Sequence, residues 1–244
     1  MLGSSSQQTA TQVAVSVSGL SFSYPDGQEA LRDVSLSITA GERVAIVGAN
    51  GAGKSTLLLH LNGVLKGKGD VRIMGHPLLD GHLPEVRRLV GVVFQNPDDQ
   101  LFSPTVFEDV AFGPIYMGLN DEEVRRRVEG ALQEVGMAGY GKRMPHRLSL
   151  GERKRIAIAT VLAMEPAILA VDEPTMGLDP RARRRFIELL RTLPQTIVAA
   201  THDLQLARDL FSRTVVLDGG RVVADGPANE ILANAALLRE HGLA

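Results

Sequence analysis

The sequence predicts an α/β fold: a mostly parallel sheet, antiparallel strands ahead of its first strand, and a helical stretch inserted in its middle. Three observations carry this reading. Residues Gly48 to Thr56 spell GANGAGKST between the apolar run Arg43-Val44-Ala45-Ile46-Val47 and Leu57-Leu58-Leu59, which reads as strand, glycine turn and helix in succession. Val92-Val93-Phe94, Ile168 to Val171 and Thr196 to Ala200 are continuous apolar runs, as expected of strands buried on both faces of a parallel sheet. From Thr105 to Met164 the apolar spacing becomes helical instead.

Taken in chain order, Val13, Val15 and Val17 alternate with other residues, as do Val34, Leu36 and Ile38, which predicts half-buried antiparallel strands. Gly69 to Gly75 reads as another short strand. Asn120 with Glu123 marks a capped helix start, Val124, Val128, Leu132 and Val135 line one face, and Gly136 is a stop signal. Asp179-Pro180 can open a helix running to about Leu193. Asp218-Gly219 can turn a hairpin between Val215-Val216-Leu217 and Arg221-Val222-Val223. Met1 to Gln12 is polar and reads as a loose, flexible tail, followed by one domain over 13–244 with a helical subdomain inserted at about 96–164.

Composition narrows the function classes. A formal net charge of -2 supplies no whole-chain attraction to nucleic acid or anionic lipid. The densest basic stretches, Arg181 to Arg185 and Glu152 to Arg155, fall on predicted helices, where a solvated face is the plain expectation. With no cysteine there is no disulfide framework, which fits a reducing compartment such as the cytoplasm. The longest apolar stretch, Ile156 to Met164, is far short of the roughly 20 residues a spanning helix needs, so a membrane role would come through a partner. No His/Cys cluster has ligand spacing, and His60, His76 and His82 read as surface residues.

The chemistry sits in three phosphate-facing elements. In the first, Gly48, Gly51 and Gly53 let backbone N–H groups turn inward as a nest for phosphate oxygens at a helix N-terminus, so this is a P-loop. Lys54 adds a point charge for the β- and γ-phosphates, and the Ser55 hydroxyl is placed to ligate Mg²⁺. The second element is Ile168 to Val171 ending in Asp172-Glu173-Pro174. Asp172 can join the Mg²⁺ shell and Glu173 can polarise the attacking water.

Thr201-His202-Asp203 reaches the same sheet edge, so His202 can contact the γ-phosphate, and Gln95 can sense Mg²⁺ and water through its amide. Tyr24 can stack on adenine or serve as a rim aromatic. The third element is Leu148-Ser149-Leu150-Gly151-Glu152, an S-x-x-E capping box whose serine hydroxyl, small Gly151 and positive helix end can bind another molecule's phosphate.

Together these motifs resemble ABC ATPases over nearly the whole chain from about Val13. Walker A is Gly48 to Thr56, the Q-loop is Gln95, the signature is Leu148 to Glu152, Walker B is Ile168 to Asp172 followed by Glu173, the D-loop is Gly177-Leu178-Asp179, and the switch histidine is His202. The resemblance implies an ABC ATPase fold with an antiparallel β subdomain and an inserted α-helical subdomain. It also implies ATP and Mg²⁺ as cofactors, with nucleotide contacts at Asn50, Gly51, Ala52, Gly53, Lys54, Ser55, Thr56, Ser149, Gly151 and Asp179. The assembly it implies is a head-to-tail dimer with a second copy of the chain, each ATP lying between one P-loop and the partner copy's signature.

Phe94 to Pro114, FQNPDDQLFSPTVFEDVAFGP, is similar to the ATPases of energy-coupling factor transporters, in particular the cobalt or nickel type called CbiO. That likeness implies a transmembrane T component and a substrate-binding membrane subunit as partners, attachment to the inner face of the cell membrane through them, and no direct nucleic-acid partner. Asp98 and Asp99 are then either acidic counterparts of arginines on the T component or a solvated turn after Pro97. One departure stands out: the family signature has glycine and glutamine where this chain has Leu150 and Glu152. The rival expectations are a soluble ABC protein acting on nucleic acid or ribosomes, and the ATPase of another ABC importer or exporter.

Overall fold

The computed structural model describes residues 12–243, so Met1 to Thr11 of the expected tail lie outside the described residues. The chain opens with β1 (Val13–Ser23) and β2 (Glu29–Thr39), paired antiparallel with Val17 opposite Leu36. β3 (Arg43–Val47) leads into α1 (Lys54–Leu61). There follow β4 (Lys68–Ile73), β5 (His76–Pro77), α2 (Leu83–Leu89) and β6 (Val90–Val93), and then the helical stretch α3 (Val106–Tyr116), α4 (Asp121–Glu134) and α5 (Leu150–Leu162). The second half alternates: β7 (Ile168–Asp172), α6 (Pro180–Thr192), β8 (Thr196–Thr201), α7 (Leu204–Leu210) and β9 (Arg213–Asp218). It ends with β10 (Arg221–Pro227), α8 (Ala228–Ile231) and α9 (Ala235–Glu240).

Two sheets result. β2, β1, β4 and β5 form an antiparallel sheet in that order, and β10, β9, β3, β8, β7 and β6 form the second. In the second sheet every pairing is parallel except β10 with β9. Parallel register therefore delivers the ends of β6, β3, β7 and β8 to one edge, with Val47 level with Thr201 and Asp172 level with Ala200. Gln95, the P-loop, Glu173 and His202 follow those ends directly, which is where an open α/β sheet gathers its ligand-binding groups.

Strand pleating assigns each face of this sheet its own core. Val44, Ile46, Ile168 and Ala170 point into a cluster shared with the antiparallel sheet and with Leu57, Leu58 and Leu61 of α1. Ala45, Val47, Leu169 and Val171 point the other way, into a cluster with Ile156, Ile158, Phe186 and Leu190 from the helices. Both sides being covered explains why these strands are continuously apolar.

Local chemistry sets the helix ends. The Asn120 side chain accepts from Glu123 N at 2.9 Å, and Asp121, Glu122 and Glu123 place negative charge at the positive end of α4. Asp179 caps α6 through Arg181 N and Ala182 N, with Pro180 in the first turn. The expected hairpin at Asp218-Gly219 forms between β9 and β10. The helices α2, α8 and α9 had no sequence expectation; each has at most seven residues, too short for a helical period to stand out.

Two expectations are corrected. His60 is fully buried, because the P-loop helix is enclosed by the antiparallel sheet on the side where His60 lies; His76 is half-buried and His82 exposed. Lys154, expected on a solvated face with its neighbours, is also buried, whereas Arg181, Arg184 and Arg185 are exposed. Among the described residues no helix is long and apolar enough to cross a membrane.

Candidate active site

The P-loop wraps a cavity of about 410 Å³ lined among others by Tyr24, Asn50, Gly53, Lys54, Ser55 and Thr56, with Gln95, Glu173 and His202 on the far wall. Glycine is required at Gly53, where φ is 102° and a Cβ would stand 2.4 Å from the Ala30 carbonyl oxygen. The Lys54 ammonium is buried and donates to the carbonyls of Gly48 at 2.8 Å and Ala49 at 3.0 Å, which curls it back over the loop. Burial lowers its pKa, opposed by the nearby charges of Glu173 and Asp172. Tyr24 lines the cavity with its hydroxyl 2.9 Å from Thr56 Oγ1 and its ring edge-on to Phe22. Ala52 is the exception among the expected loop contacts: it is buried, and its carbonyl accepts from Gly220 N at 3.1 Å, tying the loop to the β9–β10 turn.

Opposite the loop, Glu173 occupies a left-handed conformation with φ of 41°, costly for a side chain of its size and typical of sites held in place by their surroundings. Its N–H donates to the Ala200 carbonyl at 2.9 Å. Its carboxylate accepts from Thr201 Oγ1 at 3.1 Å, His202 N at 3.1 Å and His202 Nδ1 at 2.8 Å, and lies 4.0 Å from Lys54 Nζ. An ionised carboxylate accepts only, so His202 Nδ1 carries a proton and Nε2 is left for the cavity. Three donors hold one carboxylate oxygen pair in a fixed aim, as a group that must orient a water requires.

The donor set fits Mg²⁺. Asp172 Oδ1 is buried with no hydrogen-bond partner among the described residues, the kind of orphaned oxygen a hard cation satisfies. Burial raises the Asp172 pKa, and a hydrogen bond with Ser55 opposes that rise. Gln95 is exposed at the rim and its Nε2 donates to Met176 Sδ at 2.9 Å. Ser55 and Asp172 would hold the ion, with Gln95 within the same cavity; bound there, the ion would supply charge neutralisation on the phosphate oxygens.

The structure does not bring Ser149, Gly151 or Asp179 to this cavity. They line a second one of about 250 Å³, together with Glu152, Arg155, Arg181 and Arg185. Here Ser149 is the N-cap of α5 and closes a capping box with Glu152: Ser149 N and Oγ donate to Glu152 Oε2 at 2.9 and 2.8 Å. The backbone N–H of Ser149, its hydroxyl and then Tyr140 OH at 3.0 Å keep the Glu152 pKa low. Leu150 is the first helical residue, and its Cδ2 would lie 3.0 Å from a Cβ on Gly177, so it packs on the D-loop rather than into the cavity. A Cβ on Gly151 would stand 3.0 Å from Ala182 Cβ, which keeps this helix start narrow.

Two contributors were not singled out from the sequence. Met176 positions the Gln95 amide. Lys154 donates through Nζ to the carbonyls of Glu173 at 3.0 Å and Pro174 at 3.2 Å, with a pKa pushed down to about 8 by burial. Neither carries a local signal, since each acts across the fold.

Comparison with known proteins gives the family and the fold. The family model described as ABC transporter matches residues 31–176. The chain is 50% identical over 230 residues to the energy-coupling factor transporter ATP-binding protein EcfA of Methanothermobacter thermautotrophicus, covering 92% of this chain and 74% of that one. It is 48% identical over 224 residues to EcfA1 of Methanospirillum hungatei, covering 90% and 81%. Among solved structures it matches cbiO1 from Clostridium perfringens, part of the ABC transporter complex cbiONQ, with TM-score 0.83, 38% identity and 95% of both chains covered. A dimeric ATP-binding cassette in a post-hydrolysis state, bound to ADP and Pi, matches with TM-score 0.78 and 31% identity over 88% of this chain and 98% of that one.

Proposed function

The chain belongs to the ABC transporter family as an ATPase that binds ATP with Mg²⁺ and hydrolyses it, and we propose that it powers an energy-coupling factor importer as a head-to-tail dimer. One observation carries the proposal: the P-loop with Glu173 and His202 lines one cavity, while Ser149, Gly151 and Asp179 line another. A triphosphate bound at the first meets the second only if a second copy supplies it. In that arrangement Lys54 and the loop amides bind the phosphates, Glu173 polarises the water, and His202 Nε2 faces the γ-phosphate. Ser149 and the positive end of α5 close the site from the partner copy.

The surface after Gln95 supports a membrane partner. Phe112, Ile115 and Tyr116, exposed by 55 to 83%, line one apolar groove, and exposed Phe102 stands edge-to-face with Phe112 at 5.2 Å. Such a groove suits the cytoplasmic helices of a T component, which would hold the chain at the inner face of the membrane. Asp98 already pairs with Arg153 at 3.0 Å, so Asp99 is the freer acidic counterpart for an arginine on those helices. Cobalt or nickel as cargo rests on the resemblance of Phe94 to Pro114 to the CbiO-type ATPases; the metal would be selected in the membrane subunit, and no cluster among the described residues is built to hold it.

The test is Glu173→Gln with ATP and Mg²⁺, read by light scattering. A dimer that appears only with ATP is expected. A monomer at saturating ATP, with nucleotide bound, contradicts the sandwich.

A further inference from the structure

We propose that Lys154 is a positioning residue for ATP hydrolysis, its buried ammonium tying the helix that starts at Ser149 to the main-chain turn that aims Glu173. This rests on the role given above to Glu173 as the group that polarises water.

The geometry is specific. Glu173 is held in its left-handed conformation by a turn in which its own carbonyl accepts from Met176 N at 3.2 Å and from Lys154 Nζ at 3.0 Å. The Pro174 carbonyl points at the same ammonium, at 3.2 Å. Two successive carbonyls converging on one point repel each other unless a donor sits between them, and a buried lysine supplies both donors from one atom. Lys154 is only 4% exposed. A chain rarely buries an ammonium without a specific set of partners, and these partners are main-chain atoms of the turn that carries Glu173.

What makes the contact more than packing is where its two ends lie. Lys154 is on α5, one turn and a half after the Ser149 cap, and α5 begins at the cavity that would receive the partner copy's nucleotide. The other end is the turn beside this copy's own P-loop cavity. A rigid helix thus spans the two half-sites, and Lys154 is its direct hydrogen-bonded link to Glu173. Without it, the left-handed turn loses the donor that balances its carbonyls, and the carboxylate is free to leave the aim set by Thr201 and His202.

The experiment is steady-state hydrolysis and equilibrium nucleotide binding by Lys154→Met and Lys154→Gln, alone and combined with Glu173→Gln. Lys154→Met is expected to lower kcat by about 10²-fold, the scale of a misplacement near 1 Å, with ATP affinity changed less than about threefold. Lys154→Gln keeps a donor for one carbonyl and is expected to recover part of that loss; it also serves if the methionine variant does not fold. Added to Glu173→Gln, either change is expected to leave the residual rate as it was, because the group being positioned is already disabled. Undiminished kcat in a folded Lys154→Met protein, or losses that multiply in the double variant, would overturn the proposal. Rapid hydrolysis by Glu173→Gln alone would instead overturn the role of Glu173 itself.

Discussion

The P-loop cavity and the cavity at the start of α5 are made of opposite materials. The first gathers ionisable groups: Lys54 and Glu173 are buried 4.0 Å apart, with Thr201 and His202 fastening the carboxylate, and half-buried Asp172 lies next in the chain. The second is an open helix end with Ser149 exposed, Gly151 kept small by Ala182, and arginines 181 and 185 at its border. In the proposed function the first binds phosphate and activates water but lacks a wall; the second has a positive helix end and no reactive group. Each is incomplete in the way the other would repair, which is why the functional unit is read as two chains.

Three substitutions probe that contrast. Glu173→Gln removes the reactive half while leaving the loop that binds nucleotide, so hydrolysis is expected to fall by about 10² to 10⁴ with ATP affinity nearly unchanged; turnover near the native rate would break the assignment. Ser149→Ala removes the hydroxyl that the proposed dimer turns toward the partner copy's phosphate. Losing a hydrogen bond to a charged group costs about 1.5 to 3 kcal/mol, so a rate decrease of about 10 to 10² is expected at unchanged P-loop affinity. The same change removes the α5 cap, worth about 1 kcal/mol of stability, which a melting curve measures separately.

Leu150→Gly restores the family residue at the helix start. Leu150 packs on Gly177 and does not line either cavity, so its removal is expected to keep ATP binding and change hydrolysis by less than about tenfold. Complete loss of turnover would mean that the D-loop contact governs closure.

The contrast also explains which features are legible in the amino-acid sequence. The P-loop, the Asp172-Glu173 pair and the Ser149 box are each encoded within a few consecutive residues, because a strand end or helix start needs only its neighbours to form. The strand runs are legible for the same reason, their two-sided burial writing itself as unbroken apolar sequence. Contacts between distant segments leave no such mark. Lys154 on the Glu173 turn, Met176 on Gln95 and Gly220 on Ala52 depend on how α5, the D-loop region and the β9–β10 turn are stacked.

His60 shows the limit most clearly. On α1 it looks like any polar helical residue, yet the antiparallel sheet closes over it, its Nδ1 lies 2.7 Å from the Thr56 carbonyl, and burial lowers its pKa. The cover comes from Phe22, far earlier in the chain.

Mixing two disabled proteins tests the shared site most directly. Lys54→Ala spoils only the P-loop half and Ser149→Ala only the α5 half, so a mixed dimer retains one complete site built from the sound half of each chain. Hydrolysis by the mixture well above the sum of the two proteins measured separately is predicted. A mixture no faster than that sum, with both proteins folded and mixed dimers demonstrably formed, would contradict the claim that one chain completes the other's site.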